Sequence, residues 1–251
     1  MAQKIRQEQI LNILEKQGYV TVRYLSEILQ YSSATINRDL NSMQTAGLVK
    51  RSYGGVEISK RSHLPPLSQR LFYHKKEKRS IAKEAAKQIQ NGNTVFLDGS
   101  TTVQYMLPFL LEKKDLTIIT NNLRLAIELG NTSFKVICLG GSVVERPHVL
   151  DGEETVENAQ KYHPDKMFLS VANVTADGSI SKSFYLLYKT MLKNSAEAWL
   201  LTDQTKLTDR LHTSLCDFSR LTGVISDFEF PNATRESFPK VKFITPMIEE
   251  E

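Results

Sequence analysis

The sequence predicts an α/β protein in two parts, a small and mostly helical head followed by a larger body built on a parallel sheet. Three observations point there. Apolar residues recur at helical spacing through Met43 and then give way to two short β-type runs around a glycine pair. From Lys78 onward, short apolar strands alternate with helix-forming stretches, the pattern of a largely parallel sheet covered on both faces. Between the two regimes, Ser59–Arg70 has no periodicity and carries Pro65-Pro66, as a semi-rigid linker does. The expected division is a head at 1–58, a linker at 59–71 and a body at 72–251.

In the head, residues 4–17 put Ile10, Ile13 and Leu14 on one stripe of an amphipathic helix that stops at Gly18. Thr21 is placed to cap a second short helix in which Leu25, Ile28 and Leu29 face inward. After a turn at Gln30-Tyr31, Ser32 caps a third helix that ends near Gly47, a natural C′ residue. Ile36, Leu40 and Met43 bury one face of it. Ser33, Thr35, Asn37 and Arg38 occupy the other, a set of short hydrogen-bonding groups that can enter a DNA major groove. Two short helices joined by a brief turn, the second polar on its outside, make a helix-turn-helix. Leu48–Tyr53 and Val56–Ile58 flank Gly54-Gly55, whose freedom at positive φ suits a tight hairpin. A basic hairpin directly after a recognition helix is the wing of a winged helix, with Lys50 and Arg51 set to meet phosphate.

Charge agrees with this division. The net charge of +4 lies wholly in the head: nine basic and five acidic residues occur through Arg61, and 23 of each follow. The two cysteines form no motif, and Cys138, inside the apolar run Val136–Leu139, reads as a small core residue. The five histidines are scattered, so neither a metal site nor a cofactor is expected. Met1–Lys16 lacks the apolar run of a secretory leader, and no apolar stretch approaches a membrane span, so a cytoplasmic location is expected.

In the body, a helix over 81–89 ends at Asn91-Gly92. Strand Thr94–Asp98 follows, then a helix Val103–Leu111 that Pro108 should end or kink. Strand Leu116–Thr120 leads through Asn121-Asn122 into helix Leu123–Leu129, and strand Lys135–Leu139 ends at Gly140-Gly141. Later strands are Lys166–Val171, Ala198–Thr202, Leu221–Ser226 and Val241–Thr245. Ligands of open α/β sheets bind outside the carboxyl ends of the strands. There Gly99 permits a close turn, and Ser100, Thr101 and Thr102 cluster amides and hydroxyls at a helix start, which suits a phosphate. Asp98 and Asn121 are placed for sugar hydroxyls, Thr120 and Gly140-Gly141 are further candidate ligand-binding residues in neighbouring turns, and Lys206 supplies a cation. Each segment also fits a plain helix cap or turn, but four together favour a phosphate-bearing ligand. Catalysis is the weaker alternative: Glu145, Asp151, Glu153 and Glu154 are available carboxylates, yet none sits in a catalytic motif, so no enzyme is expected. A scaffold with a vestigial pocket is the remaining alternative.

Thr35-Ile-Asn-Arg-Asp-Leu40, then Ala46-Gly-Leu-Val-Lys-Arg51 and Gly54-Gly55, resemble the amino-terminal signature of the DeoR family of bacterial transcriptional regulators. Family members usually carry Arg where this chain has Asn37, and His where it has Tyr53. The body is similar too: Asp98-Gly-Ser-Thr-Thr102, Thr120-Asn121, Gly140-Gly141 and Asp203-Gln-Thr-Lys206 resemble strand-end motifs of the family's effector domain. The resemblance covers nearly the whole chain. It implies a fold like that of ribose-5-phosphate isomerase and glucosamine-6-phosphate deaminase, here serving to sense a sugar phosphate. It also implies a regulator, most often a repressor of carbohydrate genes, that binds double-stranded operator DNA as a homo-oligomer. The family pattern is broken at Ser170 and Asn173, where relatives have a Gly-rich turn, and at Leu186 and Tyr188, where they tend to carry Glu and Lys. Those changes imply an effector unlike the common ones. With Asn at position 37, an amide that pairs bidentately with adenine, the operator is expected to favour adenine there.

Overall fold

Helix α1 (Ala2–Gln17) buries Ile10, Leu11 and Leu14 and ends where Gly18 turns at φ 73°, its amide donating to the Leu14 carbonyl. The computed structural model describes residues 2–45, 48–52, 55–58, 70–71, 73–145, 149–181, 184–211 and 213–248. It divides into two units, Met1–Tyr73 and His74–Glu251. Most of the expected linker at 59–71, the helix end near Gly47 and Gly54 of the expected Gly54-Gly55 turn lie outside the described residues.

In the first unit, strand β1 (Tyr19–Thr21) precedes helix α2 (Val22–Leu29), which Thr21 caps by accepting from the Tyr24 amide at 3.1 Å. Gln30 at φ 57° turns the chain toward helix α3 (Ser33–Thr45), where the Ser32 hydroxyl accepts from the Thr35 amide. Strands β2 (Val49–Ser52) and β3 (Gly55–Ile58) form the hairpin, and β1 pairs with β3, giving a three-stranded antiparallel sheet in the order β1-β3-β2. The third strand was not expected. Gly55 serves that pairing: a Cβ there would fall 2.3 Å from the Tyr19 ring, so the glycine is required for close approach. Leu25, Ile36, Leu40, Met43, Val49 and Val56 close one core with α1. Ile28 departs from expectation and is 55% exposed. The stripe runs through Val22, Leu25 and Leu29, and at 3.6 residues per turn Ile28 lies about 100° from its centre.

The second unit carries one seven-stranded sheet, every neighbouring pair parallel, in the order β16-β15-β12-β9-β4-β5-β6. Its strands are β4 (Thr94–Leu97), β5 (Thr117–Thr120), β6 (Lys135–Cys138), β9 (Lys166–Leu169), β12 (Glu197–Thr202), β15 (Gly223–Ser226) and β16 (Lys242–Ile244). These are the seven strands read from the sequence. Alternate residues feed two cores: Val95, Leu97, Ile118, Phe168, Trp199 and Ile225 on one face, Phe96, Ile119, Met167, Leu200 and Val224 on the other. The first face is covered by α4 (Lys75–Lys87), α5 (Thr101–Gln104), α6 (Leu107–Leu110) and α7 (Leu123–Gly130). The helix expected over Val103–Leu111 is thus two short turns, and Pro108 sits in the first turn of the second, where its missing amide costs nothing. Cys138 is exposed rather than core, because β6 is an edge strand whose Val136 and Ile137 are only half-buried.

The other face is covered by α8 (Glu153–Ala159), α9 (Tyr185–Asn194) and a small sheet in the order β13-β10-β11-β14. That sheet comprises β10 (Val174–Thr175), β11 (Ser179–Ser181), β13 (Leu207–Thr208) and β14 (Ser214–Asp217). A hairpin of β7 (Ser142–Glu145) and β8 (Val149–Asp151) and a last short helix α10 (Asn232–Ser237) complete the unit. No described helix is long and apolar enough to cross a membrane.

Candidate functional site

On α3, Ser33 and Arg38 are exposed, while Thr35 and Asn37 are half-buried. Asp39, between Arg38 and Leu40 in the motif, points inward at 1% exposure, where the Arg6 guanidinium binds both carboxylate oxygens and stacks 4.7 Å from the Tyr31 ring centre. This pair ties α1 to α3 and keeps the Asp39 carboxylate off the outer face. Lys50 on β2 is exposed and lies 4.0 Å from Glu57 across the hairpin. Arg51 reaches α3 instead, donating to Asn37 Oδ1 and Asn41 Oδ1, while Asn37 Nδ2 donates to the Ser33 carbonyl at 2.8 Å. The amide expected to meet adenine is therefore engaged at both ends. Local spacing offers no reason to include Asn41, whose partner Arg51 stands ten residues on, in β2.

The residues expected at the effector site all fall at the carboxyl edge of the large sheet, but their side chains divide. The expectation that Asp98 serves sugar hydroxyls meets a fully buried carboxylate that already accepts from three internal donors. These are the Ser100 amide at 2.8 Å, the Ser170 amide at 2.7 Å and the Tyr188 hydroxyl at 2.7 Å. Burial pushes this carboxyl above its ordinary range, and those hydrogen bonds partly restrain the rise. Gly99 is required by packing, for a Cβ there would meet Val149 at 2.8 Å. Ser100 caps α5 by accepting from the Val103 amide, and Thr120 Oγ1 donates to the Leu97 carbonyl. Gly140 and Gly141 turn at φ 74° and 105° above α8, whose Thr155 hydroxyl donates to the Gly140 carbonyl.

Thr101 and Thr102 are buried beside a different group. Lys206 Nζ donates to Thr102 Oγ1 at 3.2 Å and to Ser170 Oγ at 2.5 Å, and lies 3.7 Å from Asp203 Oδ2. Burial raises the Asp203 carboxyl, but Lys206, the Thr205 hydroxyl, Lys78 and His74 together bring it below the ordinary range. Lys78, 4% exposed on α4, is a cation of this neighbourhood that periodicity alone assigns to a helix and to nothing else. Gln104 Oε1, Asn121 Oδ1, Asn122 Nδ2, Thr202 Oγ1 and Asp203 Oδ2 are buried and find no hydrogen-bond partner among the described residues, and all but Gln104 stand at or just past the carboxyl ends of β5 and β12. Asn121 Nδ2 is engaged, donating to the Leu150 carbonyl at 2.9 Å. Such groups are costly unless something else satisfies them.

Of the four residues that break the family pattern, Ser170 and Tyr188 are thus inside this network. Asn173 holds the β10–β11 turn through its amide on Ser181 Oγ. Leu186 is 62% exposed on a groove of about 990 Å³ between α8 and α9, lined also by Asp151, Glu153, Glu157, Tyr185 and Thr190. Its three carboxylates make that groove a poor receptor for phosphate. No group of three or more His, Cys, Asp or Glu able to hold a metal occurs among the described residues.

Comparison with known proteins agrees with both halves. Residues 6–62 match the model of the DeoR-like helix-turn-helix domain, and residues 73–228 match the DeoR C-terminal sensor domain. The glycerol-3-phosphate regulon repressor of Escherichia coli K12 is 31% identical over 231 residues, covering 90% of this chain and 92% of its own. The lactose phosphotransferase system repressor of Staphylococcus aureus NCTC 8325 is 30% identical, over 89% of this chain and 92% of its own. Among solved structures, ribose 5-phosphate isomerase A of Neisseria gonorrhoeae aligns at 13% identity and a TM-score of 0.40, over 53% of this chain and about half (54%) of its own length. With a helix-turn-helix at one end and a sensor domain filling most of the rest, this chain belongs to the DeoR family of DNA-binding transcriptional regulators.

Proposed function

We propose that the chain is a repressor of genes for carbohydrate use, and that a phosphorylated sugar or related polyol, bound at the carboxyl edge of the large sheet, changes its grip on operator DNA. The observation that carries the effector reading is the set of buried polar atoms at the strand ends that find no hydrogen-bond partner among the described residues, with Lys206 at the same sheet edge. Leaving such a group unpaired costs about 1–3 kcal/mol. A ligand rich in hydroxyls meets that need, and Lys206 with the Thr102 and Ser170 hydroxyls supplies cation and hydrogen bonds for its phosphate. The names of the relatives, a glycerol-3-phosphate regulon repressor and a lactose phosphotransferase system repressor, support the same class of effector.

On this reading, residues 1–58 bind DNA through Ser33, Thr35, Arg38, Lys50 and Arg51, 59–71 link, and 72–251 sense and assemble. The separation of Met1–Tyr73 from His74–Glu251 supports that division. One head offers few base contacts, and symmetric operators call for at least two, so the working form is a homo-oligomer in the cytoplasm. Regulation rather than catalysis is favoured because Asp98 is held by three internal donors, while Glu153 and Glu154 stand exposed on α8. The test is a thermal-shift panel of sugar phosphates against their parent sugars, followed by operator mobility shifts. A phosphorylated compound should raise the melting temperature and alter DNA affinity, and Lys206→Met should abolish both effects. Indifference to every phosphorylated compound would refute the effector reading while leaving DNA binding intact.

A further inference from the structure

The side chain of Arg51 links recognition helix and wing. Arg51 on β2 donates from Nη1 to Asn41 Oδ1 and from Nη2 to Asn37 Oδ1, each at 2.5 Å. Asn37 and Asn41 stand four residues apart on α3 and so share one face. The other end of the Asn37 amide donates to the Ser33 carbonyl at 2.8 Å, which fixes which way the amide points. Bidentate reading of adenine uses both ends of an amide along one edge, and here each end already carries a hydrogen bond inside the head, which holds the amide toward Arg51 and the Ser33 carbonyl. A guanidinium offers five N–H donors in a rigid plane, and the asparagines hold two of them. Both partners are neutral, so the full charge of Arg51 is retained beside exposed Arg38 and Lys50.

We propose that Asn37 and Asn41 are positioning residues that aim Arg51 at the DNA backbone, and that Asn37 reads no base. The proposal rests on the head being the DNA-binding unit. Helix and wing then meet DNA as one piece, and an arginine already ordered loses less rotamer freedom on binding.

The test uses the full chain and duplexes that it selects from a random library. Affinities of Asn37→Ala, Asn41→Ala, Arg51→Ala, Arg51→Lys and Asn41→Ala/Arg51→Ala are measured over a range of salt. Each asparagine variant should weaken binding by roughly threefold to tenfold, the range of neighbouring coupled residues, with the preferred base unchanged at every position. Arg51→Ala should lower the salt slope by about one phosphate contact and weaken all sequences alike. Arg51→Lys should keep that slope yet lose affinity, because one ammonium does not reproduce the fork that meets both amides. Asn41→Ala should have no further effect once Arg51 is gone. A changed base preference in Asn37→Ala, or an undiminished Asn41→Ala effect in the Arg51→Ala background, overturns the proposal. Melting curves of the variants separate loss of fold from loss of aim. A wild-type chain that selects no sequence defeats the DNA-binding reading itself and the proposal with it.

Discussion

Replacing Tyr188 with Phe removes one of three hydrogen bonds to a carboxylate that has no access to water. Tyr188 Oη lies 2.7 Å from Asp98 Oδ2, with Tyr188 1% and Asp98 0% exposed. A hydrogen bond to a charged group contributes about 1.5–3 kcal/mol net, against about 0.5–1.5 kcal/mol for a neutral pair. The substitution should therefore destabilise the sensor unit by about 1.5–3 kcal/mol where Asp98 is ionised, and by about half that where it is protonated. The sign follows from burial, which raises the Asp98 carboxyl in the folded state. A raised carboxyl keeps its proton where the unfolded chain has lost it, so stability falls as pH rises from the ordinary carboxylate range through the folded value. Losing the tyrosine donor raises the folded value further, so the penalty grows with pH. Urea unfolding at pH 5 and pH 8, followed by fluorescence of the chain's single tryptophan, measures this. Trp199 is 1% exposed in the sensor core and reports that unit alone. For a unit of this size the melting temperature should drop by about 2–4 °C for each kcal/mol lost. A penalty below about 0.5 kcal/mol, or one that shrinks as pH rises, refutes the account of Asp98 as an internal anchor.

Three further outcomes are expected. Gly141→Ala should destabilise by at least about 1–3 kcal/mol, the cost of a strained backbone position, because φ is 105° and the new Cβ would lie 2.0 Å from Thr155 Oγ1. Urea unfolding monitored at Trp199 checks this, and near-neutral stability refutes it. Burial, Asp203 and Glu77 push the Asp227 carboxyl up to about 6. That side chain should therefore cost stability progressively as pH rises from the ordinary carboxylate range through about 6, and Asp227→Asn should flatten this part of the stability profile. Ser170→Gly deletes a hydroxyl that orients Lys206 and offers the phosphate a hydrogen bond, so on the proposed effector reading it should weaken binding of a phosphorylated effector roughly threefold to tenfold, as calorimetry would show. Unchanged or tighter binding would mean that the Ser170 hydroxyl does not meet the ligand.

The large sheet was legible because its strands are buried on both faces, which turns each into an unbroken apolar run such as Val95-Phe-Leu97 or Trp199-Leu-Leu201. The small sheet was not, since strands like Ser179–Ser181 and Ser214–Asp217 are short and mix polar with apolar residues. Cys138 misled for a related reason: hydropathy shows that Val136–Leu139 is a strand but not that it lies at an edge. At the site, sequence order showed which loops follow strand ends, and Asp98, Asn121, Gly140 and Lys206 do come to one edge. It did not show where side chains point. The anchor of Asp98 lies 90 residues away at Tyr188, and the partner of Lys206 lies 36 residues away at Ser170. Those pairings follow from tertiary packing, which local periodicity does not encode.

The kind of acceptor that holds a cation separates structural from receptive positions in this chain. Arg6 is held by buried Asp39, and Lys166, at 11% exposure, by Glu197 at 2.7 Å. In both cases the charge is cancelled, and the pair joins elements of the fold. Arg51 is held instead by two amide oxygens. Neutral acceptors orient a cation without neutralising it, so its field remains available to an incoming phosphate. A carboxylate partner at hydrogen-bond distance would have to be displaced or desolvated first, at a cost that can exceed the Coulombic gain. On the proposed reading this leaves Arg51 charged for a DNA backbone, whereas Lys206 combines the Thr102 and Ser170 hydroxyls with the Asp203 carboxylate at 3.7 Å. It also explains why Asn37, a departure from the family pattern, leaves Arg51 ordered and still charged.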